Sequence, residues 1–442
     1  MDFLICYEHI VREIENDTLL KHELEKRGYS CKIIHFNDMD CCLHMGKDKA
    51  KVVVTPWLRY DTNVARYLTL AKKPYKLVNL QWEQVYCANH LKQGLTSTSG
   101  QALRAYHMCW GNNSRDRLVA AGLPEENVAV VGAIQMDYGQ PLFKDYYLPR
   151  EAIAAEFGLD TNKRWNLLVS SFAYANYGES GIRRMEKELN LSMTDLVEIH
   201  KQSQKLTLDW VEELLKTSDC EFIYRPHPSE KVDQRLNAMA KQYPHFHVIS
   251  DRSVKQWARV CDKVNLWIST SNAELLSMGV DFAILRPAPI PDDYEVESMR
   301  NETTITDCEA FIRFNTSDAG ENTPLVAERL ARLEHFYSFD PEYPAYKRTA
   351  DYLEQVLKSQ KGQRYHFTAK QRLKETVAGM KRYLIAALTR KCYFAGNMDP
   401  VRCIPLKPEV KKNMELTIQK RKNKEKLESA LLSYIKKNEI HS

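Results

Sequence analysis

Phe222-Ile223-Tyr224-Arg225-Pro226-His227-Pro228-Ser229-Glu230 runs from an apolar stretch into a loop held by two prolines. A short apolar run of this kind suits a strand buried on both faces of a parallel sheet. Proline locks φ and lacks an N–H, so the strand stops at Arg225 and the loop holds His227 between two rigid residues. On either side, helical patterns cover Thr207 to Leu215 and Val232 to Tyr243. Further out, Trp165 to Ser170, His247 to Ile249, Leu266 to Ile268 and Phe282 to Leu285 read as strands. Val254 to Cys261 and Ser271 to Met278 read as helices between them. Strands alternating with helices predict a doubly wound parallel sheet.

The first third of the chain repeats the pattern. Asp2 to Tyr7, Ser30 to His35, Lys51 to Thr55, Lys76 to Leu80, Met108 to Gly111 and Val128 to Gly132 read as strands. Asn16 to Arg27, closed by Gly28, Thr62 to Ala71 and Arg115 to Ala121 read as helices. Residues 141–165 read as a linker containing a short helix. The fold class expected is therefore α/β, with two Rossmann-like domains facing a cleft and a basic helical C-terminal extension. The boundaries expected are 1–145, 146–320 and 321–442.

The 442 residues carry a net charge of +5, with 44% hydrophobic and 27% charged residues. That composition excludes a disordered or collagen-like chain. The charge is unevenly placed. Residues 361–442 hold 20 Lys and Arg against 7 Asp and Glu, a net of +13, which leaves −8 on the first 360. A basic appendage on an acidic body points to an anionic partner: nucleic acid, membrane surface or glycan. Leu373 to Phe394 reads as a basic amphipathic helix, suited either to a membrane interface or to packing on the body. Lys411 to Lys437 reads as a helical arm. No nucleic-acid motif accompanies either, so nucleic acid is not expected as a partner. No run approaches the length of a spanning helix, and Met1 to Glu8 lacks the basic and apolar regions of a signal peptide. A cytoplasmic location is expected, on which the 11 irregularly spaced cysteines read as reduced thiols.

Ligands of such sheets bind beyond the carboxyl ends of the strands. Arg225 and His227 lie there, as residue types that meet a phosphate. So does Ser269-Thr270-Ser271, where a strand meets a helix N-terminus able to hold an anion. Glu274, one turn on, can accept from ribose hydroxyls or close a capping box with Ser271. Ser171 follows the first strand of the second half. In the first half, Glu8 lies in the loop after the first strand and Glu83 ends another, and either can act as general base or nucleophile. Asp38-Met39-Asp40 has the spacing of a metal–nucleotide site, but nothing else in the sequence supports a metal, and none is expected. No Gly-x-Gly-x-x-Gly or Gly-x-x-x-x-Gly-Lys-Ser/Thr string occurs, so no dinucleotide cofactor and no P-loop are expected.

Together these strings resemble bacterial surface-carbohydrate glycosyltransferases of the two-Rossmann GT-B type. The resemblance is closest to the capsule and lipopolysaccharide proteins around the Kdo transferases. More distantly it reaches CDP-glycerol polyol-phosphate transferases and bacterial sialyltransferases. Arg225-Pro226-His227-Pro228 resembles their His-Pro motif, which contacts the donor phosphate. Ser269-Thr270-Ser271 with Glu274 resembles their Ser/Thr motif, which holds the nucleotide. Glu8 with Arg12-Glu13 is similar to their N-terminal signature. Trp110-Gly111, Asp116, Leu118, Gly122 and Val130-Val131-Gly132 through Asp137 resemble the end of their first domain. There Gly132-Ala133-Ile134-Gln135-Met136-Asp137 departs from the family's Gly-Asn-Pro-x-x-Asp. The similarity covers about residues 1–300.

The resemblance implies a metal-independent, cofactor-free glycosyltransferase of capsule or lipopolysaccharide synthesis. Its donor would be a cytidine nucleotide, CMP-Kdo first, bound on the second domain. Its acceptor would be lipid-linked or an oligosaccharide, bound on the first. The basic C-terminal region would hold it to an anionic membrane, peripherally on the inner face of the inner membrane. Three alternatives stay open: a CDP-alditol polyol-phosphate transferase, a non-catalytic assembly protein and a sugar-nucleotide epimerase.

Overall fold

The computed structural model describes residues 1–35, 49–92, 97–189, 192–227, 230, 232–300, 302–318, 326–371, 373–374, 376–378, 380 and 408–439. Asp38 to Asp40, Cys41-Cys42, Pro228-Ser229 and most of the helix expected over Leu373 to Phe394 lie outside the described residues. The chain divides into two units, one of Met1–Gln84, Ser97–Ile134 and Tyr337–Ser442, the other of Val85–Thr96 and Gln135–Phe336.

The first unit holds strands β1 (Phe3–Tyr7), β2 (Cys31–His35), β3 (Val52–Thr55), β4 (Leu77–Asn79), β5 (Tyr106–Cys109) and β6 (Val128–Val130). They form one parallel sheet in the order β2-β1-β3-β4-β5-β6. The second unit holds β7 (Arg164–Val169), β8 (Cys220–Arg225), β9 (Phe246–Val248), β10 (Lys263–Leu266), β11 (Ala283–Leu285) and β12 (Thr304–Ile305). They are also parallel, in the order β12-β11-β10-β7-β8-β9. Each order reverses direction once, between β1 and β3 in the first sheet and between β7 and β10 in the second. Those are the points where a doubly wound sheet opens a crevice at its carboxyl edge.

Apolar runs make the strands. β1, β3 and β8 are buried along their whole length, as a sheet covered on both faces requires. Leu4, Cys6, Val53 and Leu77 pack with Leu58 and Tyr67 in the first unit. Leu168, Phe222, Tyr224 and Trp267 pack with Val211 and Leu214 in the second.

The helices differ more from expectation. α1 (Ile10–Lys26) begins well before Asn16. Its extra length is polar yet buried: Glu13, Asn16, Asp17 and Thr18 are all at most 1% exposed. Two helices from late in the chain, Ala345–Lys358 and Pro408–Glu439, cover this side. A one-sided apolar stripe therefore understates α1, because it is packed on more than one face. The basic helix Pro408–Glu439 is not a free arm. Leu431 and Ile435 are buried, and Lys21 pairs with Glu428 at 3.0 Å.

In the second unit, α2 (Thr194–Thr217) is 24 residues long, of which the sequence pattern marked only the second half. Its first half carries buried polar residues, His200, Ser203 and Gln204, which hide the apolar period. The helix Glu179–Leu189 was not expected. β10 stops at Leu266, so Trp267 and Ile268 already belong to the loop. α3 (Val254–Val260) and α4 (Ser271–Ser277) flank that loop. Among the described residues, no helix is long and apolar enough to cross a membrane.

Candidate functional site

The switch point of the second sheet brings three expected loops to one edge. Ser170-Ser171 follows β7, Pro226 to Glu230 follows β8, and Trp267 to Thr270 follows β10. Glu230, to which the sequence reading gave no role, ties two of them. Its carboxylate accepts from Ser170 Oγ at 2.5 Å, from the Tyr224 hydroxyl and from the His227 backbone N–H at 3.3 Å. Desolvation raises its pKa above the ordinary carboxylate value, opposed by the hydrogen bonds from Ser170 and Tyr224. His227 is exposed and Ser171 half-buried. Ser170, rather than Ser171, makes the structural bonds.

Arg225 ends β8 with only 6% of its surface exposed. Its guanidinium donates to the Arg252 carbonyl from Nε at 3.3 Å and from an Nη at 2.9 Å. Among the described residues no carboxylate comes within ion-pair distance of it. Desolvation lowers its pKa to about 10, opposed by the more distant charges of Glu274 and Asp251. A buried cation without a contact countercharge is costly. It is also a ready partner for an incoming anion.

The capping box expected between Ser271 and Glu274 does not form. Thr270 is the N-cap, makes no side-chain cap bond, and Ser271 is the first helical residue. Ser269 Oγ instead accepts from the Ser271 N–H at 3.3 Å. Glu274 turns toward Lys255 of α3, its Oε2 3.8 Å from Nζ. The loop ahead is fixed by Arg286 at the end of β11. Arg286 donates to the Trp267 carbonyl and forms a two-pronged pair with Glu295 at 2.6 and 2.8 Å.

The first sheet gathers charge at its own switch point. Arg12, in the first turn of α1, donates to Glu13 Oε1 at 2.6 Å and to Glu83 Oε1 at 2.9 Å. It lies 3.8 Å from Glu8 Oε2. Arg59, beyond β3, reaches Glu83 at 3.7 Å. The Glu8 backbone N–H donates to Glu13 at 2.6 Å. Three carboxylates thus share two guanidinium groups. Desolvation raises the pKa of Glu8, with Arg12 opposing and Glu83 adding to the rise. Such a shift moves the carboxyl in the direction that general acid–base chemistry uses.

Every candidate carboxylate, hydroxyl and cation therefore lies at or beyond a strand's carboxyl end, Glu8 with Glu83 in one unit and the other seven in the second. Lys255, Arg59, Glu230 and His200 were missed. Arg59 was findable as the fourth residue after Thr55, past the end of a strand. Lys255 looks like any helical lysine. His200 is 6% exposed with its Nδ1 unpartnered, and its ring meets Trp267 edge-on at 4.7 Å. Among the described residues no group of three His, Cys, Asp or Glu side chains is placed to hold a metal ion.

No protein-family model matches the chain, and no curated protein matches it in sequence. Solved structures match its fold. The UDP-GlcNAc 2-epimerase of Methanocaldococcus jannaschii, in complex with UDP-GlcNAc and UDP, is 14% identical with a TM-score of 0.51, covering 80% of this chain and all of that one. MnaA of S. aureus with UDP is 12% identical with a TM-score of 0.51, over 83% of this chain and 100% of that one. The wall teichoic acid polymerase TagF is 12% identical with a TM-score of 0.52, over 81% of this chain and 89% of that one. At these identities the likeness is one of fold, and the fold is the two-Rossmann GT-B arrangement.

Proposed function

We propose that the protein is a surface-carbohydrate glycosyltransferase using a nucleotide-activated donor, with a cytidine nucleotide favoured and CMP-Kdo as first candidate. The observation that carries the reading is Arg225, a buried guanidinium at a strand's carboxyl end with no carboxylate in contact among the described residues. With His227 beside it, this group would meet the donor phosphate. Ser269, Thr270, Ser271 and Ser171 would supply hydroxyl and backbone donors, and Glu274 would accept from the ribose. The second unit would be the donor side and the first the acceptor side.

In transfer, the acceptor hydroxyl oxygen would bond the anomeric carbon as the bond to the CMP phosphate oxygen breaks. The electron pair would leave on CMP, where Arg225 and His227 stabilise the developing charge. Glu8 would take the hydroxyl proton. Glu83, held by Arg12 and Arg59, would orient Glu8 and crowd its charge.

The fold likeness to TagF, one of whose structures is described with CDPG, favours a second reading. There a CDP-alditol would donate a polyol phosphate and release CMP. The products distinguish the two: a glycoside in one case, a phosphodiester in the other.

An anionic membrane would be the second partner. Leu373, Val377 and Met380 are 66, 52 and 55% exposed, on consecutive turns, with Lys370 and Lys374 exposed among them. Each well-placed Lys or Arg adds about 1 kcal/mol at an anionic surface. This would bring the enzyme to a lipid-linked acceptor.

Thermal stabilisation by CMP, CDP, UDP and GDP tests the donor site on wild type and His227→Ala. A ligand at 100 times its Kd adds about 2.7 kcal/mol. Stabilisation by cytidine nucleotides, lost in the variant, is expected. Stabilisation by UDP or GDP alone removes CMP-Kdo and the CDP-alditols. No response to any nucleotide removes the reading.

A further inference from the structure

Lys255 sits in the first turn of α3 with 3% of its side chain exposed. Its Nζ lies 4.6 Å above the Tyr138 ring centre and 3.8 Å from Glu274 Oε2. Tyr138 is itself fully buried. Glu274 keeps 20% of its side chain exposed. The two partners are therefore unequal: a ligand at the sheet edge can reach Glu274 but not Lys255.

A buried ion pair is a weak source of stability, since apolar residues of the same volume often serve as well or better. Removing one partner, by contrast, is costly. Such a pair points to a use for one of its charges. Here the charge within reach is Glu274. Arg225 also acts on Glu274 from beyond ion-pair distance. If Glu274 closed onto Arg225, the cation would be neutralised and the carboxylate removed from the helix terminus. The carboxylate lies instead within ion-pair distance of Lys255, at 3.8 Å. The planar Tyr138 ring keeps the lysine in place, because a cation is attracted to the ring face.

We infer that Lys255 is a positioning residue that holds the Glu274 carboxylate ready to accept the ribose hydroxyls of a nucleotide, making the site selective for ribonucleotides. This rests on the donor site proposed above. The chemistry recognised is the ribose diol. A carboxylate oriented by a buried cation accepts a 2′-hydroxyl, and a 2′-deoxyribose leaves that acceptor unmatched.

The test compares binding of CMP and 2′-deoxy-CMP by calorimetry in the full chain, on wild type, Glu274→Gln, Lys255→Met and the double variant. Hydrogen bonds to a charged group are worth roughly tenfold or more in affinity. Wild type should bind CMP at least tenfold more tightly than the deoxy form. Both single variants should bring that ratio toward one, and the double variant should be no worse than Glu274→Gln, as expected of residues acting as one unit. Lys255→Met keeps the stem over Tyr138. Should it fail to fold, Glu274→Gln still decides, because its charge is partly exposed and its shape unchanged. A ratio unchanged in Glu274→Gln, or in a folded Lys255→Met, overturns the inference while leaving the donor site standing. Failure of wild type to bind any nucleotide overturns both.

Discussion

Arg12 Nη1 donates to Glu83 Oε1 at 2.9 Å, joining the residues that follow β1 to those that follow β4 across 71 positions of chain. Glu13, fully buried, takes the other side of the same guanidinium. Burial alone would weaken the charge on Arg12. The three carboxylates Glu13, Glu83 and Glu8 outweigh it and raise its pKa. One fixed cation thereby holds three acids within reach of each other at the edge of the first sheet.

On the proposed reading the acids take different roles. Glu8 should carry the proton transfer, and Glu8→Gln should lower kcat by about 10²- to 10⁴-fold with little change in nucleotide affinity. Glu83→Gln should act indirectly, by relaxing Arg12 and Arg59, and lower kcat less. Equal loss in both variants, or a larger loss at Glu83, would reverse the ranking.

Arg225→Met should weaken cytidine nucleotide binding by about 10- to 100-fold, the scale of a lost charge-assisted contact. Its apo stability should hold or rise, because the change removes a buried cation that no carboxylate contacts among the described residues. A fall in melting temperature with unaltered nucleotide affinity would make Arg225 structural only.

His107 sets an acid limit on the first unit. Its Nε2 is 2.9 Å from the Ala102 carbonyl and must donate, so its Nδ1 accepts from Asn79 Nδ2 at 3.2 Å. That uses both nitrogens in the neutral ring. Burial lowers its pKa from 6.5 to about 4. The folded state thus binds a proton less readily than the unfolded state. Stability is full above pH 6.5 and falls as pH drops toward 4, by about 1.4 kcal/mol per unit. Urea unfolding at pH 7 and pH 5 should show this loss, and His107→Gln should reduce it.

Gly132 has φ +82°, and a Cβ there would meet the Ser338 carbonyl and, at 3.1 Å, the Ala345 side chain. Gly132→Ala should cost about 1–2 kcal/mol for the left-handed backbone and more for the contact with Ser338. A melting temperature equal to wild type would show that the strand end can shift.

Replacing Leu373, Val377 and Met380 together by Ser should reduce binding to anionic vesicles by at least about tenfold, since each buried apolar side chain contributes roughly 1.5–3 kcal/mol. This is a cleaner test than deleting residues 361–442, which would also strip the Pro408–Glu439 helix from α1. Unchanged vesicle binding would leave the exposed stripe without a membrane role.

The strands and their alternation with helices were legible because they are local. Val52–Thr55 and Cys220–Arg225 are apolar or strand-forming runs that announce burial without reference to other segments. The site loops followed from position: Arg225, His227, Ser269 and Glu8 lie where a parallel sheet exposes its carboxyl edge. Proline and serine chemistry in those loops could be read from neighbouring residues. What the chain could not reveal is which charges meet. Asn16 and Asp17 look like solvated helix residues until the helix Pro408–Glu439, from the far end of the chain, packs on α1. The Ser271–Glu274 capping box is sound by spacing, yet Glu274 turns to Lys255, whose burial depends on Tyr138. Local periodicity reports how much apolar surface a segment must hide. Charge pairing and desolvation act through space, so only the folded arrangement decides which carboxylates share a cation, which cation has no carboxylate in contact among the described residues, and which lysine is held out of reach.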